Sequence, residues 1–239
     1  MASSEENSMK DRITIEGRDG AFGAYVARAK TFPAPAVVVL HEVFGVNADI
    51  RKTCDELAEQ GFLAVAPDLF WRQEPGVDLS VTSEPDWQHG LRLYKAYDRD
   101  AGARDVKDTA NVAGKLPECN GKVAVLGYCL GGLMTFLTAV RYGVDAAVAY
   151  HGGETDKYLG EVDRLVAPLL MHLAEEDEFI SKSAQAEIKA ALANKPNATV
   201  FSYPGQNHAF SRHNGAHYNA AAAALAHRRT NEFLHQHLR

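Results

Sequence analysis

The 239-residue sequence lacks the features that nucleic-acid-binding, membrane-spanning and secreted proteins need. Its 25 lysines and arginines are outnumbered by 31 aspartates and glutamates, and no basic cluster with interleaved aromatic residues is present to follow a phosphate backbone. A membrane-spanning helix requires about 20 consecutive apolar residues, and no apolar run in the sequence is nearly that long. The polar N-terminal stretch MASSEENSMKDR has no apolar segment of the kind found in secretion signals. We therefore expect a soluble, cytoplasmic protein that binds neither nucleic acid nor membrane.

Cysteine is also scarce, with Cys54, Cys119 and Cys129 as the three examples. The number is odd and the three local settings differ, so they form neither a disulfide framework nor the spacing of a metal site. At least one thiol is therefore free to react. No metal and no cofactor are predicted.

The sequence does contain short apolar runs that alternate with amphipathic segments. Residues 36–40 (AVVVL) are continuously apolar and β-branched, which is typical of a parallel strand covered on both faces. Alternation of such strands with helices predicts the α/β class, with a mostly parallel sheet and helices on both faces. Length and composition favour one domain over residues 12–239, after a disordered or extended lead-in at 1–11. The predicted strands are 13–15, 24–27, 36–40, 62–66, 122–126, 146–150, 169–173 and 199–203, and the predicted helices lie between Asn47 and Gly61 and at 86–97, 103–116, 130–142, 183–193 and 219–238.

The stretch GYCLGG at residues 127–132 lies between a predicted strand and a predicted helix. Its glycine spacing resembles the G-x-S-x-G turn that raises a nucleophile at a sharp strand-to-helix corner, with Cys129 in the serine position. The alternative is that Cys129 is only a small apolar residue at a tight corner, because free cysteine is among the most buried residue types.

Four ionisable residues follow the ends of four different predicted strands: Glu42, Cys129, Asp177 and His208. Reactive groups in open α/β sheets gather at the carboxyl edge of the strands, so these side chains are expected to converge. The chain order of nucleophile, acid and histidine is that of α/β-hydrolases. Asp177 alone would be equally well explained as a helix cap.

Acyl transfer would give a role to three of these groups. Cys129 would attack a carbonyl carbon, His208 would take and return the proton, and Asp177 would fix the imidazole tautomer. The backbone N–H groups of Leu130 and Val43 would hold the developing oxyanion.

Five stretches together resemble the dienelactone hydrolase family, also called carboxymethylenebutenolidases. They are HEVFGVN (41–47), APDLFWRQ (66–73), GYCLGG (127–132), EEDEFI (175–180) and NHAFSR (207–212), and with their spacing they cover nearly the whole chain after residue 12. The resemblance implies an α/β-hydrolase fold and a cysteine hydrolase with the triad Cys129, Asp177 and His208.

The same resemblance implies that Glu42 is an auxiliary carboxylate that interacts with the resting thiol and that Arg212 receives the carboxylate of the substrate. The alternative is that Glu42 only forms a structural ion pair with Arg212. One position departs from the family pattern, because ungapped spacing puts Trp87 where the family has a second carboxylate-binding arginine. An indole cannot pair with a carboxylate bidentately. Trp87 either lines the pocket, which would then favour neutral or aryl esters and lactones, or belongs to the core.

The predicted function is hydrolysis of a small ester or lactone through a thioester acyl-enzyme, without a cofactor, by a monomer or weak homodimer. One alternative is a promiscuous arylesterase or phosphotriesterase that uses the same triad. An alternative of another class is a non-catalytic ligand or redox sensor built on a reactive thiol.

Overall fold

A computed structural model describes residues 11–239 of the chain. Eight strands form one sheet in the order β1-β2-β4-β3-β5-β6-β7-β8. β1 pairs with β2, and β2 with β4, in antiparallel orientation, and the remaining neighbours are parallel. The strands are β1 (Arg12–Gly17), β2 (Gly20–Ala27), β3 (Ala34–Leu40), β4 (Leu63–Pro67), β5 (Cys119–Tyr128), β6 (Ala146–Tyr150), β7 (Leu169–Ala174) and β8 (Ala198–Tyr203).

The central strands are buried on both faces, which explains their unbroken apolar sequence. In β3, Ala36, Val38 and Leu40 belong to the core on one face of the sheet, whereas Val37 and Val39 belong to the core on the other. All five are fully buried. The two-residue periodicity of a strand thus divides one apolar run between two hydrophobic cores.

Six α-helices within residues 11–239 cover these cores. They are α1 (Ala48–Glu59), α2 (Glu84–Ala96), α3 (Arg99–Ala113), α4 (Leu130–Arg141), α5 (Lys182–Leu192) and α6 (Ala220–His237), and a 3-10 helix spans Thr155–Arg164. Apolar residues of α1 and α6 fill one core, and those of α3, α4 and α5 fill the other. The predicted α/β architecture, with a mostly parallel sheet and helices on both faces, is confirmed.

The local signals at α1 also agree with the structure. The side chain of Asn47 accepts a hydrogen bond from the Ile50 N–H and caps the helix, and Gly61 adopts a φ of +93° just beyond its end. Cys54 is fully buried on the apolar face of this helix, as predicted.

Some boundaries differ from the prediction. α3 begins at Arg99, four residues before the predicted start, because Asp98 accepts hydrogen bonds from the N–H groups of Asp100 and Ala101 and so acts as an earlier cap. The 3-10 helix was not predicted. The lead-in predicted at 1–11 falls, except for its last residue, outside the described residues. No helix within 11–239 is long and apolar enough to cross a membrane.

Candidate active site

Cys129 lies at the corner between β5 and α4, immediately before the first helical residue. Its backbone has φ +55° and ψ −113°, an unusual conformation for a residue with a side chain. Its N–H donates to the Tyr150 carbonyl oxygen at 3.1 Å, which fixes the corner to the neighbouring strand. The side chain is half-buried, unlike that of Cys54. The corner therefore presents the thiol where other groups can reach it.

Glycine makes this corner possible because three backbone segments approach closely. A Cβ on Gly127 would lie 2.1 Å from the Gly131 carbonyl oxygen, and one on Gly132 would lie 2.4 Å from the Tyr150 carbonyl oxygen. The N–H of Gly131 donates to the His41 carbonyl oxygen at 3.1 Å. The glycines around Cys129 thus pack the start of α4 directly against β3 and β6.

Replacing Gly131 with alanine should destabilise the fold, since its Cβ would lie 2.3 Å from the Leu40 carbonyl oxygen. Such overpacking typically costs about 1–3 kcal/mol. We expect urea denaturation of Gly131→Ala to give a free energy of unfolding lower by that amount. Gly160→Ala is the matched control, because no atom lies within 4 Å of the added carbon. Equal stability of the two variants would contradict the close-packing argument.

His208 and Asp177 follow β8 and β7, respectively, and meet at the same sheet edge. The Nδ1–H of His208 donates to Asp177 Oδ2 at 2.8 Å. The other Asp177 oxygen accepts from the N–H groups of Phe179 and Ile180 at 2.8 and 3.1 Å. Asp177 is therefore both the partner of His208 and the cap of the turn that follows it. The helix-cap interpretation of Asp177 is wrong, because Ser181 caps α5 by accepting a hydrogen bond from the Ala184 N–H.

The other ring nitrogen of His208 points towards the thiol. His208 Nε2 is buried and has no hydrogen-bond partner among residues 11–239. Glu42, Cys129 and His208 each contribute one polar atom to a group in which all three atoms lie within 4.8 Å of one another. Burial lowers the pKa of His208, but the charge of the neighbouring Cys129 and the hydrogen bond to Asp177 outweigh this and raise it to about 10.

Glu42 and Arg212 form a bidentate ion pair beside the thiol. Arg212 Nε donates to Glu42 Oε2 at 2.6 Å, and Nη2 donates to Oε1 at 2.8 Å. The guanidinium carbon of Arg212 also lies 5.1 Å from the centre of the Phe44 ring. Burial lowers the pKa of Arg212, yet the Glu42 carboxylate more than compensates and keeps it above its ordinary value. The ion-pair interpretation of Glu42 therefore describes the geometry, and the pair lies within the site.

Trp87 lies on α2 and forms part of the wall of a cavity of about 730 Å³ that opens onto Cys129 and His208. Its ring centre lies 5.8 Å from that of Phe44 and 6.0 Å from that of Phe179. Trp87 thus lines the cavity instead of belonging to the core. Residues 81–83 of the long loop before α2 also line this cavity.

The two backbone N–H groups expected to face an oxyanion come from the corner and from the loop after β3. Leu130 is the first residue of α4, and Val43 lies in the cavity wall next to Glu42. Within the described part of the chain, neither N–H donates to another backbone carbonyl. Their assignment as oxyanion donors stays a prediction.

His151 is an additional residue of this site whose role the sequence left open. It has a φ of +36°, is 1% exposed, and its ring centre lies 4.4 Å from that of His208. Burial, followed by the charges of His208 and Arg212, lowers its pKa far below the ordinary value. It therefore contributes an uncharged ring behind His208. The signal available in the sequence is its position directly after β6, at the same sheet edge.

Comparison with known proteins identifies relatives over nearly the whole chain. The family model described as "Dienelactone hydrolase family" matches residues 22–238. A protein of Azospirillum brasilense is 42% identical over 231 residues, which cover 96% of this chain and 100% of that protein. The carboxymethylenebutenolidase of Pseudomonas putida is 38% identical over 227 residues, which cover 95% of this chain and 96% of that protein. The crystal structure of a dienelactone hydrolase-like promiscuous phosphotriesterase from metagenomic libraries has the same fold, with a TM-score of 0.79, 21% identity, and coverage of 95% of this chain and 98% of that one.

Proposed function

The chain belongs to the dienelactone hydrolase family, and from this premise we propose that it hydrolyses small esters or lactones through a thioester on Cys129. The observation that carries the proposal is the relay from Asp177 through His208 towards the thiol. The His208 Nδ1–H is held by Asp177 at 2.8 Å, while Nε2, on the side of Cys129, has no hydrogen-bond partner in the described part of the chain. This arrangement orients one nitrogen of the ring and leaves the other for proton transfer.

The proposed reaction has two halves. In the first, the Cys129 sulfur attacks the carbonyl carbon, the carbonyl oxygen becomes negative beside the N–H groups of Leu130 and Val43, and His208 gives a proton to the departing alcohol oxygen. In the second, His208 takes a proton from water, the hydroxide attacks the thioester carbon, and the carbon–sulfur bond breaks. Asp177 stabilises the protonated imidazole at each stage. Because the charge of Cys129 raises the pKa of His208, a protonated ring and a negatively charged sulfur would stabilise each other during the reaction.

We further propose that neutral aryl esters and lactones are preferred over dianionic dienelactones. Trp87 contributes an apolar ring to the cavity wall between Phe44 and Phe179, where it offers no charge to a carboxylate. The nearby guanidinium of Arg212 is already paired with Glu42 in both of its hydrogen bonds. An anionic substrate would therefore have to compete with Glu42 for this guanidinium, and Lys157, a lysine of the same wall, is paired with Glu154.

The proposal is tested by comparing kcat/KM for p-nitrophenyl acetate and for an anionic dienelactone. We expect the aryl ester to be the better substrate, and expect Trp87→Arg to shift the ratio towards the anion by roughly tenfold, the scale of a hydrogen bond to a charged group. Trp87→Phe is the matched control and should leave the ratio unchanged. A wild-type enzyme that turns over the dienelactone much faster would contradict the proposed preference.

Arg212→Ala should reduce turnover of anionic substrates by about tenfold more than turnover of neutral ones, since it removes the guanidinium that is paired with Glu42 in this wall. The variant also leaves the buried Glu42 without its partner, which is destabilising. The double variant Arg212→Ala with Glu42→Gln restores neutrality and separates the two effects. Steady-state rates on both substrates provide the measurement. An equal loss on both would mean that Arg212 only supports the structure.

A second candidate activity is hydrolysis of phosphotriesters at the same thiol. The observation that favours it is the cavity of about 730 Å³ with aromatic walls, together with the fold shared with a promiscuous phosphotriesterase. The thiolate would displace p-nitrophenolate from the phosphorus of paraoxon, and water would then release the phosphate diester. Measurable paraoxon hydrolysis that is lost in Cys129→Ala would support this activity. If p-nitrophenyl acetate or paraoxon modifies Cys129 but no turnover follows, the result would favour the alternative of a thiol-based sensor.

A further inference from the structure

Glu42, Cys129 and His208 also present the donor set of a metal site. One carboxylate oxygen, one sulfur and one ring nitrogen lie within 4.8 Å of one another. Because Asp177 occupies Nδ1 of His208, the nitrogen that faces the group is Nε2, which is buried and unpaired among the described residues. Glu42 and His208 are 7% and 4% exposed, so two of the three donors are already withdrawn from bulk water.

We propose that these three residues bind Zn²⁺, or another thiophilic divalent cation, as a reversible inhibitor. Thiolate, imidazole and carboxylate are the ligands that Zn²⁺ takes in proteins, often three of them with a fourth position left open. Mg²⁺ and Ca²⁺ require oxygen donors and are excluded by the sulfur. The fourth position would face the cavity, where water completes the coordination. On binding, the single proton that Cys129 Sγ and His208 Nε2 hold between them passes to solvent, the Nδ1 proton stays in its hydrogen bond to Asp177, and the sulfur and nitrogen electron pairs pass to the metal.

The partner of the His208 ring fits this assignment. The hydrogen bond from His208 Nδ1 to Asp177 at 2.8 Å is the outer contact that usually orients a histidine ligand and raises its basicity. The three donors come from the loop after β3, the corner after β5 and the loop after β8. The sequence contains no short metal-binding motif for these three ligands, because they are far apart along the chain and meet only at the sheet edge.

Arg212 should weaken metal binding, because its guanidinium is positively charged and occupies Glu42. Both Glu42 oxygens accept hydrogen bonds from its guanidinium, at 2.6 and 2.8 Å. A metal must therefore share or displace that pair and tolerate a neighbouring positive charge. Removing the guanidinium should release Glu42 and tighten metal binding. A gain in affinity is a sharp test because unfolding of a variant cannot produce it.

Other histidines are the competing ligands in a binding experiment. His213 and His217 stand four residues apart, but His213 pairs with Glu56 at 3.1 Å whereas His217 lies 3.5 Å from Glu178. They face different partners and do not form a group with shared donors in the described chain. His213→Ala is therefore a control for adventitious binding, and Cys119→Ser is the control for a second thiol.

The experiment titrates the chelator-treated full-length protein with Zn²⁺ by calorimetry, and with Co²⁺ to detect thiolate-to-metal absorption. We expect one ion per chain. Affinity should fall about tenfold or more in Cys129→Ser and in His208→Gln, and by about 10–100-fold in Asp177→Asn. It should rise in Arg212→Ala and stay unchanged in His213→Ala and Cys119→Ser. Binding that survives Cys129→Ser, is lost with either control, does not tighten in Arg212→Ala or is never seen would overturn the proposal.

The inhibition itself rests on the proposed function, whereas the binding does not. Zn²⁺ should lower turnover of p-nitrophenyl acetate at the concentration that saturates the calorimetric site, and a chelator should restore it. If Zn²⁺ binds as expected but no ester is hydrolysed, the proposed activity fails and the metal site stands. If esters are hydrolysed and no Zn²⁺ binds at Cys129, the metal site fails and the activity stands.

Discussion

Cys129→Ala should abolish ester turnover, lowering kcat by about 10³-fold or more, because it removes the atom that forms the acyl intermediate. The alanine fits at the corner without a new contact, so folding should be preserved. Initial rates on p-nitrophenyl acetate measure the loss. Mass spectrometry of the wild-type protein during turnover should find the acyl adduct on the peptide that contains Cys129.

The remaining cysteines supply the controls for this prediction. Cys54 is fully buried in the core against α1, where burial raises the pKa of its thiol. Cys119 lies at the start of β5, where its sulfur accepts a hydrogen bond from the Gly121 N–H. Cys54→Ala and Cys119→Ala, compared at equal folded fraction, should keep full activity. Activity retained in Cys129→Ala would assign the nucleophile elsewhere.

Cys129→Ser tests whether the nucleophile must be a thiol, because the variant keeps a nucleophilic group but replaces sulfur with oxygen. A hydroxyl is far harder to ionise than a thiol, and the site offers one histidine as the base. We expect a severe loss of kcat with little change in the fold. Near-normal rates in this variant would contradict the thiolate mechanism.

Asp177→Asn should reduce kcat by about 10³–10⁴-fold, the scale expected when a triad loses its acid. The amide keeps an oxygen that can accept from the Phe179 and Ile180 N–H groups, so the turn remains capped. Its nitrogen would face His208 Nδ1 and force the wrong tautomer. Glu178→Gln is the matched control, since Glu178 accepts from the backbone N–H of His208 at 3.2 Å and lies near His217, whereas the His208 ring is held by Asp177.

The same variant changes the pH dependence in a defined direction. Burial lowers the pKa of His208, while the charge of Cys129 and the contact with Asp177 raise it to about 10. The protonated ring therefore persists below that pH, and loss of the Asp177 charge lowers the pKa. If the active form pairs a protonated ring with a thiolate, the alkaline limb of kcat/KM must move to lower pH in Asp177→Asn. An unmoved limb would mean that Asp177 does not act through the charge of His208.

Much of the fold and of the candidate site was predictable because both depend on strand ends. Mostly apolar runs marked β3 to β7 and the less apolar run TVFSY marked β8, and the carboxyl ends of these parallel strands necessarily lie at one edge. Residues that follow those ends, such as Glu42, Asp177 and His208, are therefore brought together by topology alone. The GYCLGG spacing marked the corner because only glycine allows the close approach of α4 to its neighbours.

The remainder was not predictable because it depends on packing between segments that share no sequence pattern. Whether Trp87 faces the core or the cavity is decided by how α2 lies over Val43, whose carbonyl oxygen would be 2.4 Å from a Cβ on Gly90. The pairing of both Glu42 oxygens with Arg212 depends on the side-chain conformations of two residues that lie 170 positions apart in the sequence. His151 gave one weak signal, its place after β6, and nothing in the sequence indicates the φ of +36° that directs its ring to His208.

The cavity wall also gives the protein an optical reporter. Of the two tryptophans in the chain, Trp71 stacks on Phe22 at 5.3 Å and donates to Asp105, away from the cavity, whereas Trp87 lies between Phe44 and Phe179. Intrinsic fluorescence therefore combines emission from Trp71, which does not line the cavity, with emission from Trp87, which we expect an occupying ligand to change. Replacing Trp71 with phenylalanine leaves emission from the cavity alone, so that filling and emptying of the site can be followed by stopped-flow without a chromogenic leaving group.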